Sequence, residues 1–210
     1  MPVVFEKEID AVTRLAVWEI RETEAFFLEH VPVHRTITHP HKRLQHLAGR
    51  FLLKYLFPAF PVELIQVADT RKPYLPGEAY HFSISHCGQY AAVIVSTRER
   101  VGIDIEIPSE KVERISHKFL HPEELLRVRD NGSEDRLRLL TLLWSCKEAV
   151  FKWWSYGQVD FSEQIRLESF PSTDAGSLLA TFYSDKKHPL ELTYQMFDDI
   201  TLAWVATVDL

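Results

Sequence analysis

The chain has 210 residues, of which 46% are hydrophobic and 12% aromatic, and its formal net charge is −6. These totals supply a packed core for one large domain or two small ones, and the negative charge argues against a broad nucleic-acid surface, which needs a basic stripe. No apolar run approaches membrane-spanning length, and residues 1–7 lack the charged-then-apolar pattern of a secretion signal. Because the only cysteines are Cys87 and Cys146, we expect no disulfide framework and a reducing, cytoplasmic compartment.

In the first half of the chain, residues 1–100, one long helix is framed by short strands. Strands are predicted at 3–5, 12–18, 62–67, 81–85 and 90–96. A small helix is predicted at 22–28, and a longer one begins near Pro40, because proline is tolerated in the first turn of a helix. The apolar residues from Leu44 to Tyr55 form a single stripe, so this helix is expected to pack against a core.

The second half, residues 101–210, follows a similar plan. Its predicted helices lie at 111–120, from His121 onward, and at 135–154. The Asn-Gly pair at 131–132 is predicted to interrupt helical structure between the last two. Its predicted strands lie at 101–106, 165–170, 178–182, 190–196 and 201–208. A long helix with antiparallel strands in each half predicts an α+β protein, in which two similar halves form one compact pseudo-twofold unit.

The strand at 101–106 separates its side chains by type. Val101, Ile103 and Ile105 fall on one face and Asp104 and Glu106 on the other, because successive strand residues point to opposite faces. The β-branched residues favour a strand over a helix. Two neighbouring carboxylates belong either to a solvated polar surface or to an oxygen-ligand site for a hard divalent cation. The strand alone does not choose between these two interpretations.

A second informative stretch, from Trp144 to Lys152, lies in the long helix of the second half. Ser145, Glu148 and Lys152 are spaced three and four residues apart and therefore share one face of the helix. By itself this spacing is typical of a Glu–Lys pair on a solvated face. The tryptophans and aliphatic residues around the pair argue against that interpretation, because they would bury the helix on several sides.

These two stretches resemble the signature of the 4′-phosphopantetheinyl transferases, with Val-Gly-Ile-Asp-Ile-Glu at 101–106 followed by Trp-Ser-x-Lys-Glu-Ala-x-x-Lys at 144–152. Upstream, Arg-Lys-Pro-Tyr at 71–74 and Phe-Ser-Ile-Ser-His at 82–86 are similar to the family's Gly-Lys-Pro and Ser-x-Ser-His elements, and 47–53 resembles its first-half helix. The resemblance is to the longer, Sfp-type branch, which carries two similar halves in one chain.

The resemblance implies transfer of the 4′-phosphopantetheine group of coenzyme A to a serine of an apo acyl- or peptidyl-carrier protein, with release of adenosine 3′,5′-bisphosphate. Asp104, Glu106 and Glu148 would hold Mg²⁺, which prefers carboxylates, phosphate oxygens and waters. Glu148 would accept the serine proton, directly or through water, and Lys152 would neutralise charge on the transferring or leaving group. We expect the site between the two halves, an arrangement compatible with a monomer.

The resemblance also implies contacts to the 3′-phosphate of coenzyme A. Lys72, Ser85 and His86 would supply positive charge and hydrogen-bond donors, and Arg43 and Arg50 are further candidates. From the residues alone, Lys72 is more typical of a solvated turn and His86 of a loop.

The chain departs from the family pattern at Arg71, where a glycine is usual. If this position needs a positive φ, arginine would alter the turn, because glycine adopts that conformation without steric cost. Arginine would equally offer an additional phosphate contact. The residues by themselves leave both possibilities open.

Two other functions remain to be separated from transfer. A non-catalytic module could bind coenzyme A or a carrier protein, although a pure binder would not need Asp104, Glu106, Glu148 and Lys152 together. A metal-dependent phosphodiesterase would also suit two strand carboxylates with a helical glutamate. The sequence does not indicate which carrier protein or pathway is served, and no nucleic-acid or membrane partner is expected.

Overall fold

The computed structural model describes residues 2–32, 37–130 and 136–208. The chain divides into two compact units, of which the first extends to Val101 and the second runs from Gly102 to Val208. Within the described residues, no helix has the combined length and apolar character needed to cross a membrane.

The first unit is a four-stranded antiparallel sheet with a long helix. Its elements are β1 (Val3–Glu8), β2 (Thr13–Glu19), α1 (Glu24–Leu28), α2 (Pro40–Leu56), a 3₁₀ helix (Val62–Leu64), β3 (Gln66–Val67), β4 (Pro73–Tyr74), β5 (His81–Cys87) and β6 (Tyr90–Ser96). The strand order is β1-β2-β6-β5. The apolar stripe of α2, including Leu47 and Leu52, packs on the sheet beside Phe82 and Val93. The predicted amphipathic helix is therefore correct, and its stripe forms the core of this unit.

The strand predicted at 62–67 is wrong over most of its length. Residues 62–64 form the 3₁₀ helix, and only Gln66 and Val67 pair as a strand. The amide of Leu64 donates to the Pro61 carbonyl at 3.0 Å, a local bond that takes the place of a ladder bond. The β-branched content favoured a strand, whereas the local bond and the burial of Val62 favour a turn.

The second unit is a five-stranded sheet with four helices among its described residues. Its elements are β7 (Arg100–Glu106), α3 (Glu110–Phe119), α4 (Pro122–Asp130), α5 (Arg136–Trp154), α6 (Phe161–Gln164), β8 (Ile165–Leu167), β9 (Ala175–Tyr183), β10 (Lys187–Met196) and β11 (Thr201–Thr207). The strand order is β7-β11-β10-β9-β8. Leu142, Leu143 and Val150 of α5 lie in the core with Leu192 and Val205 of the sheet. Because β11 lies next to β7 in the sheet, the packing of α5 on β11 also brings this helix to β7.

Two details of the second unit differ from the predictions. The strand expected at 165–170 ends at Leu167, and the short helix α6 was not predicted. Asp160 caps α6, because its carboxylate accepts from the amides of Ser162 at 2.9 Å and Glu163 at 3.0 Å. The predicted break at Asn131-Gly132 and the predicted first residue of α5, Asp135, lie outside the described residues.

The predicted mixture of helices and antiparallel sheets is confirmed. The likeness of the two halves and a site between them stay predictions.

Arg71 lies in the left-handed region of backbone conformation. Its φ is +67°, in the turn that joins β3 to β4. The amide of Arg71 donates to the Ala68 carbonyl at 2.8 Å, and the amide of Ala68 donates to the Lys72 carbonyl at 2.9 Å. The position therefore does need a positive φ, the conformation that a glycine adopts most readily.

We predict that Arg71→Gly raises the free energy of unfolding by about 0.5–1 kcal/mol, because relief of left-handed strain exceeds the added entropy of the unfolded chain. Urea denaturation measures the change. The matched control is Asp69→Gly in the same turn, where φ is not positive and where a glycine should lower stability. A lower stability for Arg71→Gly would contradict the assignment of strain to this residue.

Candidate active site

The even-numbered face of β7 points toward α5. Gly102, Asp104 and Glu106 share this face, because strand side chains alternate. A Cβ placed on Gly102 would overlap the carbonyl oxygen of Ala149 and would lie 2.7 Å from the amide nitrogen of Trp153. Both of these atoms belong to the backbone of α5, so the helix lies against the strand at this point. Asp104 is therefore only 2% exposed, and it is not part of a solvated polar surface.

The close approach of α5 to β7 places the side chain of Lys152 within hydrogen-bonding distance of Asp104. Lys152 Nζ donates to Asp104 Oδ1 at 2.6 Å, with side-chain exposures of 23% for the lysine and 3% for the aspartate. A lysine on the helix and an aspartate on the strand thus form a charge-assisted hydrogen bond at the edge of the core. The solvated Glu148–Lys152 pair considered from spacing is replaced by this contact across two elements.

The two glutamates beside this pair are destabilised as anions. Burial raises the pKa of Glu148 to about 7, the negative charge of Asp104 adds to the shift, and Lys152 opposes it. Burial likewise raises the pKa of Glu106 to about 7, again with a contribution from Asp104. Near neutral pH, Glu106 and Glu148 are therefore each poised between their charged and neutral forms.

Trp144 is a further residue of the site, beyond its expected part in burying the helix. Its side chain forms a hydrogen bond with the Glu106 carboxylate, which favours the charged form of that group. Trp144, Glu148 and Lys152 follow each other at four-residue intervals, so they lie on one face of α5. This repeat could have identified Trp144 from the sequence.

Ser145 joins α5 to the strand beside β7. Its hydroxyl lies 3.3 Å from the Thr201 hydroxyl of β11, and Ser145 is fully buried. The sequence placed Ser145 on the face of Glu148 and Lys152, and here it supports the helix rather than facing solvent. Cys146, the next residue, lies in the core, where burial raises the pKa of its thiol.

The carboxylates of Asp104, Glu106 and Glu148 are of the right chemical type for a hard divalent cation, but a shared ion would require their side chains to move closer together than they stand here. Carboxylate oxygens are the protein ligands that Mg²⁺ prefers, and mutual repulsion among the three groups would be relieved by a cation. Asp104 contacts Lys152 through one oxygen, and a carboxylate has about four lone-pair directions. Within residues 2–32, 37–130 and 136–208, no three His, Cys, Asp or Glu side chains stand close enough together to hold a metal ion.

In the first unit, the residues proposed to contact phosphate lie on a turn, a strand and a helix. Lys72 is half-buried at the end of the β3–β4 turn. Ser85 and His86 are neighbours on β5, and Ser85 is buried whereas His86 is exposed, so the two side chains point to opposite faces.

Arg43 and Arg50 both lie on α2 but in different surroundings. Arg43 donates to both oxygens of Glu24, at 2.7 and 2.8 Å, and to the Ile37 carbonyl at 2.8 Å. These bonds tie the start of α2 to α1. Arg50 is buried, and its Nη1 lies 3.1 Å from Nδ1 of His46. Arg43 thus has a structural role in the first unit, and a phosphate contact from either arginine stays a prediction.

Comparisons with known proteins show which family the second unit resembles. A family model described as the 4′-phosphopantetheinyl transferase superfamily matches residues 100–205, the range that holds β7 and α5. Enterobactin synthase component D of Escherichia coli strain K12 is 35% identical over 114 residues, which cover 53% of this chain and 54% of that protein. The same component of Salmonella typhi is 30% identical over 146 residues, 68% of this chain and 58% of that protein.

A putative 4′-phosphopantetheinyl transferase of Haemophilus influenzae is 31% identical over 129 residues, which cover 59% of this chain and 54% of that protein. The chain therefore spans little more than half the length of the curated relatives that it matches.

We predict that Gly102→Ala destabilises the protein by about 3 kcal/mol, because its Cβ would meet helix backbone that cannot move aside alone. Chemical denaturation measures the loss. The matched control is Gly176→Ala in β9, where the nearest atom to the new Cβ is the hydroxyl of Tyr194 at 3.1 Å. Equal losses in the two variants would contradict a special role for the strand–helix contact at Gly102.

We also predict that the metal-free protein loses stability as the pH rises from about 5 to 8. Both glutamates have pKa values raised to about 7 in the folded protein, so their contribution is complete below the unfolded value and is lost as they ionise in the fold. Glu148→Gln should remove part of this slope, on the order of 2 kcal/mol across the range. Denaturation at each pH in EDTA measures it.

The control for the pH series is Glu191→Gln, which changes an exposed carboxylate of β10. The stability difference between wild type and Glu191→Gln should be constant across this pH range. If the difference between wild type and Glu148→Gln is also constant, the raised pKa of Glu148 is refuted.

Proposed function

The chain belongs to the 4′-phosphopantetheinyl transferase superfamily, and we propose that it transfers the 4′-phosphopantetheine group of coenzyme A to a serine of an apo acyl- or peptidyl-carrier protein. The observation that carries the proposal is the cluster in which Lys152 contacts Asp104 beside Glu106 and Glu148. This cluster lies within the matched residues. Among the relatives, one is named as a putative transferase of this kind and others as a component of enterobactin synthase.

The proposed reaction is a phosphoryl transfer without a covalent enzyme intermediate. The carrier serine oxygen forms a bond to the β-phosphorus of coenzyme A, and the bond from that phosphorus to the bridging oxygen of the diphosphate breaks. The leaving group is adenosine 3′,5′-bisphosphate, and the serine hydroxyl proton passes to a base. The protein must therefore orient two substrates, accept one proton and balance negative charge.

Glu148 is proposed as the group that accepts the serine proton, directly or through one water. In the metal-free protein, burial together with Asp104 raises the pKa of Glu148 to about 7, a suitable value for a base near neutral pH, and a bound Mg²⁺ would lower that pKa and keep the carboxylate charged. Glu148 is partly buried, so its environment sustains this shift while leaving the carboxylate in reach of a substrate. An exposed glutamate would be a weaker base at neutral pH.

Lys152 is proposed to balance the charge on the transferring phosphoryl group or on the leaving diphosphate. Its bond to Asp104 holds the ammonium in one position before substrate arrives. A preorganised cation stabilises developing negative charge without the cost of reorganisation during the reaction. Asp104 thus serves Lys152 as an orienting partner.

Asp104, Glu106 and Glu148 are proposed to hold Mg²⁺, which would screen the charge of the diphosphate and favour its departure. The hydrogen bond from Trp144 to Glu106 supports the charged form that a metal ligand requires. The electrostatic coupling of the three carboxylates supports a common cation.

For the nucleotide, Lys72, Ser85 and His86 are proposed to contact the 3′-phosphate, with Arg50 and Arg43 as further candidates. The buried guanidinium of Arg50 and the exposed ring of His86 offer donors to an anion. A cytoplasmic location and a monomer are part of the same proposal.

We predict that the protein, incubated with coenzyme A, Mg²⁺ and a panel of apo-carrier proteins, adds a phosphopantetheine group to at least one of them. Mass spectrometry of the carriers measures the transfer. Glu148→Gln and Asp104→Asn should lower the rate by roughly 100-fold or more, because one removes the base and the other the partner of Lys152. Glu123→Gln should retain the wild-type rate, since its carboxylate is exposed and lies outside the cluster.

Three outcomes would count against the proposal. Coenzyme A binding without labelling of any carrier would favour a binding module. Hydrolysis of a simple phosphodiester without a carrier would favour a phosphodiesterase. Full activity of Glu148→Gln, with its fold verified by circular dichroism, would remove Glu148 from its proposed role.

A further inference from the structure

The side chain of Lys147 points away from the cluster of Asp104, Glu148 and Lys152. It is fully buried, and its ammonium donates to Glu124 Oε2 at 2.6 Å, to the Ile165 carbonyl at 2.7 Å and to the Phe161 carbonyl at 3.0 Å. An ammonium has three N–H groups, so each one has an acceptor. These acceptors belong to α4, to the first residue of β8 and to the first residue of α6.

Glu124 is the anionic partner, and it is only 4% exposed. Its Oε1 accepts from the Leu167 amide at 2.7 Å, and its Oε2 accepts from the His121 amide at 2.7 Å as well as from Lys147. The pair therefore ties α5 to β8, to α6 and to the start of α4 through five hydrogen bonds.

Stability alone does not explain a buried ion pair of this kind. Removing two charges from water is costly, and replacement of such pairs by apolar residues of similar volume is often neutral or stabilising. An apolar contact, however, tolerates sliding and rotation of a helix, because it has no direction. An ammonium that must reach three fixed acceptors allows α5 only one rotation about its axis and one position along it. The pair is thus suited to set the register of the helix.

The register of α5 decides where Glu148 points. Consecutive helix residues are separated by about 100°, so Lys147, Glu148 and Ala149 face three directions. Lys147 is bound to Glu124, Ala149 lies against Gly102 of β7, and Glu148 stands between these two anchors. A small rotation of α5 would therefore turn Glu148 relative to Asp104.

We propose that Lys147 and Glu124 are positioning residues that hold α5 in the one register in which Glu148 faces the carboxylates of β7. They act through the helix and touch neither substrate nor metal. The inference rests on the proposed transfer reaction and extends it to a pair outside the cluster.

The test compares wild type with Lys147→Met, Glu124→Gln and the double variant, all at a temperature where every protein is folded. Lys147→Met keeps the length of the side chain and removes the ammonium, and Glu124→Gln is the milder change if the first variant folds poorly. Each single variant should lower kcat at least tenfold while changing KM for coenzyme A less than threefold. The kcat of the double variant should be no lower than that of the less active single variant, because the two residues act as one unit.

A second readout does not depend on turnover. Mg²⁺ added to the protein with coenzyme A should raise the unfolding midpoint of wild type above its value with coenzyme A and EDTA. This Mg²⁺-dependent increment should be reduced in Lys147→Met to the level of Glu148→Gln. The matched control is Arg136→Met, which breaks the exposed pair of α5 with Glu113, where the two atoms are 3.2 Å apart. This control should keep both kcat and the increment.

The outcomes separate the two proposals. If wild type labels no carrier, the transfer reaction is refuted, and the Mg²⁺-dependent increment still decides the positioning role. If wild type is active and kcat per folded molecule is unchanged in Lys147→Met and Glu124→Gln, the pair is only structural and the inference fails. An increment equal to that of wild type in Lys147→Met also overturns it.

Discussion

The close approach of α5 to β7 at Gly102 is the constraint on which the second unit depends. A side chain at this position would overlap the carbonyl of Ala149, so the absence of a Cβ lets the helix backbone rest directly on the strand. With the two elements in contact, an aspartate of the strand and a lysine one turn beyond that carbonyl meet at hydrogen-bonding distance. The chemistry proposed for the site follows from this geometry, since separated elements would leave each carboxylate in water.

Burial and charge have opposite consequences on the two sides of α5. On the side that faces β7, Glu148 of the helix and Glu106 of the strand are partly buried without enough positive charge, and their pKa values rise to about 7. On the side that faces α4 and β8, Lys147 and Glu124 compensate each other, and each hydrogen-bonding group of the lysine has a partner. The glutamates in the first arrangement can bind a cation or a proton, because their negative charge is incompletely compensated. The second supplies rigidity, because a fully compensated pair resists rotation.

The β3–β4 turn of the first unit holds an arginine in a conformation that glycine adopts most readily. The β3–β4 turn needs a left-handed residue at position 71, and arginine adopts that conformation here with a φ of +67°. Hydrogen bonds of Ala68 with Arg71 and with Lys72 close the turn around this strained residue, and Lys72 directly follows an additional positive charge. An arginine at position 71 is thus compatible with a left-handed turn.

The sequence alone determined the long helices and most strands, because periodicities of 3.6 and 2 residues report which face of an element is buried. It also predicted that Asp104, Glu106, Glu148 and Lys152 act together, through their spacing and their resemblance to a family, and the structure shows the contact between Lys152 and Asp104. It misjudged residues 62–64 and missed α6, where local hydrogen bonds and a cap outweigh composition. Only the tertiary structure decided that Lys152 contacts Asp104 and that Lys147 binds Glu124. Partners from distant segments are chosen by packing, and the packing depends on the space left at Gly102.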